Sequence, residues 1–453
     1  MLQNIFSRKR HQERGQTILL VAISLVALLA MAALAIDVVT LYVASSQIQR
    51  ATDAAALAGA KAIADSGFTS LPAADPNYAT AQTLAQTMAT TAVNSIVGTS
   101  TINLVSGQLP VMPAPPTFDF TTHPGSFQIT VSLKSASLPT FFSKIWSGSA
   151  PTVTASATAE AYNPSNLPIT TPFTPISPTS VKPWLVANAD PVNVGTKFVD
   201  TATGVVDSAI IGGPAIDLVS DCIHPGPNRC HLGTNPPGVI SGKHQVQYVP
   251  AVVNTVNTQN VCPACKGTTD FEQSIECADV ATSYQVLSCG GGTVQLQWDD
   301  GINPGAPPGN NATSLGGQCL IHASSGEGAG QGQDLLQNPG PWPTAPFQFK
   351  AQSGPQSGNL VTTSNSIVTI PILDPAPGVT LPNFGGVVTV DGFLQAFINQ
   401  VNGPPSSGIQ PPEGSINITV LNIVGCSSAS NGAAPVVGGA GTSPIPVRLI
   451  TAP

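Results

Sequence analysis

Cysteines are the residues of this chain whose type and spacing most directly suggest chemistry. Cys262 and Cys265 form a CPAC motif, which can act as a redox pair in a thioredoxin-like setting or, with two further cysteines, hold zinc. The surroundings are polar and loop-like, and the next cysteines do not form a second CxxC. An even number of cysteines, all beyond Pro183, favours structural disulfides in an oxidising compartment over both alternatives. The disulfide candidates, whose pairing the sequence leaves open, are Cys222, Cys230, Cys262, Cys265, Cys277, Cys289, Cys319 and Cys426.

Other catalytic motifs are missing from the sequence. It contains no GxSxG, HExxH, Walker A or GxGxxG pattern. His224, His231 and His244 are not at metal-ligating spacing, and Asp299-Asp300 lacks the rest of an EF-hand loop. We therefore predict a protein that is not an enzyme, with no catalytic residue, metal ligand or cofactor; an envelope hydrolase is the least favoured hypothesis.

Composition limits the class of protein further. Only 8% of the 453 residues are charged, and Gly and Pro number 43 each, whereas about 25% of residues are charged in ordinary soluble proteins. Hydrophobic residues make up 42%, which favours a folded, turn-rich β protein over intrinsic disorder. The net charge of −8 argues against nucleic acid as a partner, because nucleic acid requires a basic surface.

One apolar run is long enough to span a membrane, and it determines where the rest of the chain lies relative to that membrane. Thr17–Ile36 carries no charge, and about 20 residues in a helix cross a hydrocarbon core of roughly 30 Å. Positive residues stay on the cytoplasmic side of such a span, which predicts a cytoplasmic N-terminus and an exported remainder. Those preceding the run are Arg8, Lys9, Arg10 and Arg14.

Two processing alternatives stay open for this run. Ala33-Leu34-Ala35 has the small-x-small form of a signal-peptide cleavage site, although the run is longer than the usual apolar region of a signal peptide. Cleavage of the prepilin type would follow Gly15, but Leu20 stands where pilins of similar arrangement carry Glu.

The helix is predicted to continue past the membrane, from Gln16 to about Ser66, because neither proline nor a glycine pair interrupts it. Its outer half carries a helical face that narrows towards alanine, so that its packing partner must come close to the backbone. The residues of that face are Val38, Leu41, Ile48, Ala51, Ala55, Ala58 and Ala62.

Together, RGQ, the apolar span, AIDVVTLYVASSQIQ and ATDAAALAGA resemble the N-terminal segment of TadG-like and TadE-like proteins of the Flp (Tad) pilus assembly system. The resemblance implies a helix that assembles with other Tad or pilin-like subunits, with Asp37, Tyr42, Gln49, Asp53 and Gly59 as assembly residues. Many relatives carry a von Willebrand-type domain with a DxSxS metal motif; that motif is missing here, so the activity is not carried over. The matching positions are Arg14, Gly15, Gln16, Ala35, Ile36, Asp37, Leu41, Tyr42, Gln49, Ala51, Asp53, Ala54, Ala55, Ala56, Leu57, Ala58, Gly59 and Ala60.

The paired aspartates of this segment allow two interpretations. The resemblance implies that Asp37 and Asp53 pair with cations on a neighbouring subunit. Otherwise Asp37 marks the end of the lipid-facing span, and Asp53 lies on a solvated helix face or pairs with Arg50.

Composition and periodicity divide the chain into five parts. We expect a cytoplasmic basic tail without order over 1–15, the transmembrane and extended helix over 16–66, a second helix with a small antiparallel sheet over 67–162, a Pro/Thr-rich linker over 163–183 and an exported mainly-β domain over 184–453. The fold class is α+β: a long transmembrane N-terminal helix with a pilin-like helix-plus-sheet module, then a disulfide-containing mainly-β domain of sandwich or barrel type. The linker is expected to hold the distal domain away from the membrane.

Helices and strands are predicted within these five parts. A second helix is expected to begin near Asp75-Pro76, end at Gly98 and pack on the alanine face of the first. One distal helix is expected within Thr389–Val401. Strands are predicted at Thr101–Ser106, Ser126–Leu133, Val153–Tyr162, Val192–Val199, Gly238–Ile240, Gln245–Val253, Thr293–Trp298, Ile367–Ile372, Gly386–Val390, Ile416–Ile423 and Val447–Ile450.

Two functional hypotheses follow. The first is a membrane-anchored structural component of a bacterial Tad/Flp pilus assembly or type II/IV-related secretion system. It would be a single-pass protein of the bacterial cell membrane, its exported part periplasmic or extracellular, with other Tad or pilin-like subunits as partners in a homo- or hetero-oligomer. The alternative is a membrane-tethered adhesin or carbohydrate-binding module that uses the helix only as a tether.

Overall fold

A computed structural model describes most of the helical and strand-forming parts of the chain. The described residues are 3–71, 75–98, 110–120, 122, 125–136, 138, 140, 149, 151–166, 176–178, 180–220, 238–240, 243–251, 262, 267, 269–277, 295–297, 312–322, 332–337, 345–374, 387–401, 415–426, 436–437 and 443–450.

The molecule begins with one continuous helix, α1 (Gln3–Asp65), which confirms the prediction that the helix runs on past the apolar span. It begins at Gln3, so the basic tail is helical rather than without order. Lys, Arg, Gln and Glu are good helix formers, and no glycine or proline interrupts the tail before Gly15. The break predicted at its far end is confirmed, since Gly67 has a φ of 83°, a left-handed conformation that ends helices.

Helix α2 (Tyr78–Gly98) folds back and packs on α1, as predicted. Its buried face is made of small and flexible residues spaced three or four apart, among them Ala81, Ala85, Met88 and Ala89. The short helices α3 (Asp270–Glu276) and α4 (Ala312–Leu320) pack on each other in the distal part.

The strands are mostly short and bounded by turns. They are β1 (Thr117–Asp119), β2 (Ser126–Ser135), β3 (Val153–Tyr162), β4 (Ile176–Ser177), β5 (Trp184–Ala187), β6 (Ile216–Ser220), β7 (Val239–Ile240), β8 (Gln245–Pro250), β9 (Gln295–Gln297), β10 (Leu335–Gln337), β11 (Gln348–Lys350), β12 (Leu360–Val361), β13 (Ile367–Leu373), β14 (Val387–Val401), β15 (Ile416–Gly425), β16 (Val436–Val437) and β17 (Val447–Ile450).

A small antiparallel sheet with strand order β1-β2-β3-β17 lies against α1. Ile129, Val131 and Leu133 of β2 are buried, as the alternation of apolar and polar residues predicts. The last strand, β17, comes from the far end of the chain and pairs with β3, where Arg448 binds Glu160. Distant parts of the sequence therefore build the sheet that covers the helix.

The distal strands close into a barrel. The pairings run β13-β5-β8-β6-β15-β14, and β14 pairs with β13 again, which completes the ring. Strand β9 extends β14 beyond the ring, and β7 pairs with β8. Because closure pairs the strand edges, the barrel needs no further strand to satisfy its backbone groups. The α+β class and the mainly-β distal part are both confirmed.

Two distal predictions are wrong. The helix expected in Thr389–Val401 is instead strand β14, which pairs with β13 on one side and β15 on the other. Both faces of β14 are buried, so its apolar residues do not alternate with polar ones. Phe393, Phe397 and Val401 are four residues apart, which is also the spacing of residues on one face of a helix. Val192–Val199 forms turns and isolated bridges instead of a strand.

The remaining strand predictions that fall on described residues are matched by β2, β3, β7, β8, β9, β13, β14, β15 and β17. Thr101–Ser106 lies outside the described residues.

One cluster of buried hydrophobic side chains extends from α1 through the small sheet into the barrel. Both ends of the predicted linker are buried: Asn163 contacts the end of α1, and Lys182 donates a hydrogen bond to the Cys277 carbonyl at 3.1 Å. The sheet, the helix and the barrel thus share a core, and the domain limits expected from composition remain predictions.

Candidate functional site: the N-terminal helix

The predicted span of α1, Thr17–Ile36, is apolar and largely exposed. Among the described residues, one helical stretch, Gln16–Asp65, is long and apolar enough to cross a membrane, and none of its most hydrophobic window is buried. A helix in the core of a soluble protein would bury such side chains. A signal sequence near the N-terminus would be an exposed apolar helix of the same kind as a membrane anchor. The exposed apolar side chains of the predicted span are Ile18, Leu19, Leu20, Val21, Ile23, Leu25, Val26, Leu28, Leu29, Met31, Leu34 and Ile36.

The second half of α1 is packed into the fold. The small residues Ala51, Ala55 and Ala62 are buried, in the region where α1 contacts α2, β2 and β3. The prediction that a partner comes close to the backbone is confirmed, and the partner is this chain's own sheet and second helix. The alanine part of this face, from Ala51 to Ala62, is not free to pack on a neighbouring subunit, whereas Val38, expected on the same face, is exposed.

Gly59 shows how close that packing is. A Cβ at this position would clash with Cδ1 of Ile129 on β2 and would lie 3.2 Å from the Ala85 carbonyl oxygen on α2. Only glycine lets three elements approach at this point. Its role in the described fold is therefore internal packing, whereas the resemblance implied a role between subunits.

The other residues implied in assembly lie in different surroundings. Asp37 is buried and does not lack a partner, whereas Tyr42 is highly exposed. Gln49 donates a hydrogen bond to Asp53 Oδ1 at 2.7 Å, so Asp53 has a partner on its own helix, and the alternative pair with Arg50 stays a prediction. The structure brings Gln49 and Asp53 together and leaves Asp37 and Tyr42 apart from them.

A buried polar junction joins the end of α1 to the barrel. Asn422 of β15 lies at its centre and donates to the Ala64 carbonyl at 2.8 Å, while its Oδ1 accepts from Thr69 at 2.8 Å and from Ser70 at 3.0 Å. Asn163 donates to the Thr69 carbonyl at 3.1 Å. Because each partner is buried, the junction holds the helix end at a single place on the barrel.

Sequence reasoning missed this junction. Its signal is a polar residue with apolar residues on both sides within a strand-forming run: Asn422 in INITVLNIVG and Gln395 in VVTVDGFLQAFINQV. A polar residue at such a position is buried only when hydrogen bonds compensate for the lost water.

A second polar group lies where β5, β13 and β14 meet. Asp391 is buried, and Asn188 donates a hydrogen bond to Oδ2 of Asp391 at 3.4 Å. The other carboxylate oxygen of Asp391, Oδ1, has no hydrogen-bond partner among the described residues. Burial, and secondarily the nearby Asp374 carboxylate, raises the pKa of Asp391 to about 7, against the opposing effect of Lys197. The described residues hold no group of three or more His, Cys, Asp or Glu side chains that could bind a metal ion.

The predicted presence of disulfides in the mainly-β part is confirmed. Cys262 is bonded to Cys277, directly after α3, so Cys262 does not form a redox pair with its CPAC neighbour Cys265. Cys319 and Cys426 are disulfide-bonded as well. Four further candidates lie outside the described residues: Cys222, Cys230, Cys265 and Cys289.

Comparison with known proteins gives one informative result, and it falls on α1. No curated protein and no solved structure matches the chain. Residues 15–62 match the family model described as Tad, putative Flp pilus-assembly TadE/G-like, which covers the exposed apolar half of α1 and most of its packed half. The resemblance seen in the sequence is thereby confirmed, since residues 15–62 of this chain are similar to the TadE/G-like Flp pilus-assembly family.

Proposed function

We propose that this protein is a single-pass, membrane-anchored structural component of a Tad/Flp pilus assembly system, without catalytic activity. The observation that carries the proposal is the division of α1 into two halves. Within the Tad segment, residues 15–62, the helix passes without a break from an exposed apolar half to a half built into the core. Such a helix links a bilayer directly to a folded part.

The orientation follows from the charges around the span. Four basic residues precede Thr17, and the first acidic residue after the span is Asp37. The positive residues favour a cytoplasmic N-terminus, and this orientation supports the proposal that the sheet and the barrel lie on the outer side of the membrane. Disulfides such as Cys262–Cys277 suit that oxidising side.

The packing of α1 also limits how other subunits are recognised. Its alanine face is filled by α2 and the small sheet. Contacts with other Tad or pilin-like subunits are therefore proposed on the apolar half of the helix within the membrane and on the outside of the fold.

The anchoring test uses charge at the centre of the span. We compare a Leu25→Arg/Leu29→Arg variant with a Leu25→Ala/Leu29→Ala control, both at exposed positions outside the core. Each arginine costs about 3 kcal/mol at the centre of a membrane helix, so the arginine variant should leave the membrane fraction and reduce the number of pili per cell, while the alanine variant retains both. Wild-type protein released by alkaline carbonate, or found cleaved after Ala35, would overturn the anchor.

The pilus role has its own readout. A strain without this protein should assemble fewer pili, and the wild-type chain should restore them. Normal piliation without the protein, combined with binding of the exported part to glycans or host cells, would favour the tethered adhesin instead.

A further inference from the structure

We infer that the outer boundary of the bilayer meets α1 near Tyr42 and not at Asp37, so that the base of the exported fold rests in the lipid headgroup layer. The inference depends on the proposed membrane anchoring. It names the surface that meets lipid, a short juxtamembrane face consisting of Val38, Val39, Tyr42 and Val43.

The first observation is exposure. Val38, Val39 and Tyr42 are 58%, 61% and 76% exposed, like the side chains of the span before them. Residues spaced three and four apart lie on the same side of a helix. The juxtamembrane face therefore extends the exposed apolar surface of the span by more than one turn beyond Asp37, and water would be a costly environment for it.

The second observation concerns Asp37 itself. A charged side chain would normally mark the end of the hydrocarbon region, because it is costly in lipid. Asp37 is only 2% exposed and does not lack a partner, and Ala44, two turns further along the same side, is 4% exposed. The chain itself covers this side of the helix, so the carboxylate meets neither lipid nor water, and the opposite side remains free to contact lipid.

The third observation is length. Thr17–Ile36 spans about 30 Å as a helix, which matches the hydrocarbon core alone. From Ile36 to Tyr42 the helix rises about 9 Å, comparable to the roughly 5–8 Å headgroup layer on one side of the bilayer. Tyrosine is enriched at that level, because its ring is apolar and its hydroxyl is polar. The next charged residue of α1 after Asp37 is Arg50, which is exposed.

These observations place lipid and protein side by side over the same turns of α1. At the level of Asp37 to Ala44, one side of the helix is covered by the protein and the other by headgroups. The exported fold then begins at the membrane surface without an intervening spacer.

The test measures water access along the helix. Four variants of the full chain, each with one added cysteine, are placed in vesicles of phosphatidylethanolamine and phosphatidylglycerol. The substitutions are Leu29→Cys, Val39→Cys, Tyr42→Cys and Gln49→Cys. A membrane-impermeant charged maleimide then labels them, with wild-type protein giving the background from the native cysteines. Each rate is normalised to labelling after denaturation in SDS. All four positions are exposed on α1, so the substitutions do not disturb the core.

We expect Gln49→Cys to react rapidly, and Val39→Cys and Tyr42→Cys to react at least tenfold more slowly, close to Leu29→Cys. If Tyr42→Cys and Val39→Cys react as fast as Gln49→Cys while Leu29→Cys stays protected, the inference is wrong and the anchor stands. If Leu29→Cys is also labelled rapidly, the anchor itself fails. The two failures are therefore distinguishable.

Discussion

Gln395 of β14 donates a hydrogen bond from its Nε2 to Oδ1 of Asp65, the last residue of α1, at 2.6 Å. The other oxygen of Asp65 accepts from Lys61 one turn earlier, and Gln395 also donates to Ser443 at 2.8 Å. A residue from the barrel thus contacts the last residue of α1, with both partners buried. A force applied along the helix would reach the barrel through this contact and the neighbouring Asn422 network.

The first prediction concerns that network. Asn422→Leu should lower the free energy of unfolding by about 2–4 kcal/mol, because it removes the buried hydrogen bonds of Asn422 to the Ala64 carbonyl and to the Thr69 and Ser70 hydroxyls. Urea unfolding of the full chain in detergent micelles measures the change. Asn94→Ala, at an exposed position on α2, is the matched control and should change stability by less than about 0.5 kcal/mol. Equal effects of the two substitutions would show that the network does not stabilise the fold.

The second prediction concerns the approach of three elements at Gly59. Gly59→Ala should destabilise the protein by about 1–3 kcal/mol, because the new methyl group meets Ile129 and the α2 backbone, although alanine favours a helix. Ile129→Val removes the methyl group at the point of contact, so it should be less costly in the Gly59→Ala background than in the wild type. A double-mutant cycle from unfolding curves gives the coupling, and strictly additive effects would contradict the close approach.

The third prediction is a pH dependence arising from Asp391. Its folded-state pKa of about 7 lies above the unfolded value of about 3.9, so ionisation costs more in the folded state. The stability of the wild type should therefore be highest relative to Asp391→Asn below about pH 4, and should fall by up to about 4 kcal/mol as the pH rises to about 8. Thermal unfolding of both proteins across this pH range measures the difference. Parallel pH profiles would show that Asp391 titrates normally.

The fourth prediction concerns the disulfide. Non-reducing peptide mapping should recover Cys262 linked to Cys277, whose sequence separation is 15, and replacing both by alanine should lower stability by about 3 kcal/mol. Recovery of a Cys262–Cys265 peptide would restore the CPAC motif as a candidate redox pair. A loss of stability in the double variant without that peptide would leave the structural role intact.

Helices and simple strands of this protein follow from local sequence. Periodicity and the lack of breakers predict α1 and α2, and alternation predicts β2 and β3, because each has one buried and one exposed side. Strand β14 does not follow, because its two buried faces erase the alternation. Barrel closure does not follow either, because it depends on pairings between strands far apart in the sequence, such as β13 with β5 and β15 with β6.

In the candidate site, too, features of the local sequence are predictable and tertiary contacts are not. The apolar span and the small-residue face of α1 are visible in the sequence, but the partner that covers the face is not. The burial of Asp37 depends on tertiary packing, and the sequence alone indicates a lipid boundary there. Asn422 and Gln395 look like ordinary strand residues until the end of α1 is placed against them.

The pairing of β17 with β3 has a consequence for how the protein matures. Arg448 and Glu160, which bind each other across these strands, are 288 residues apart in sequence. During synthesis α1 is made first, and the edge of β3 lacks this neighbour until β17 has been made. Contacts of such long range are slow to form, and an unpaired strand edge invites association with other chains. A nascent molecule is therefore prone to aggregation until β17 pairs with β3, so chains truncated before residue 447 should aggregate instead of folding.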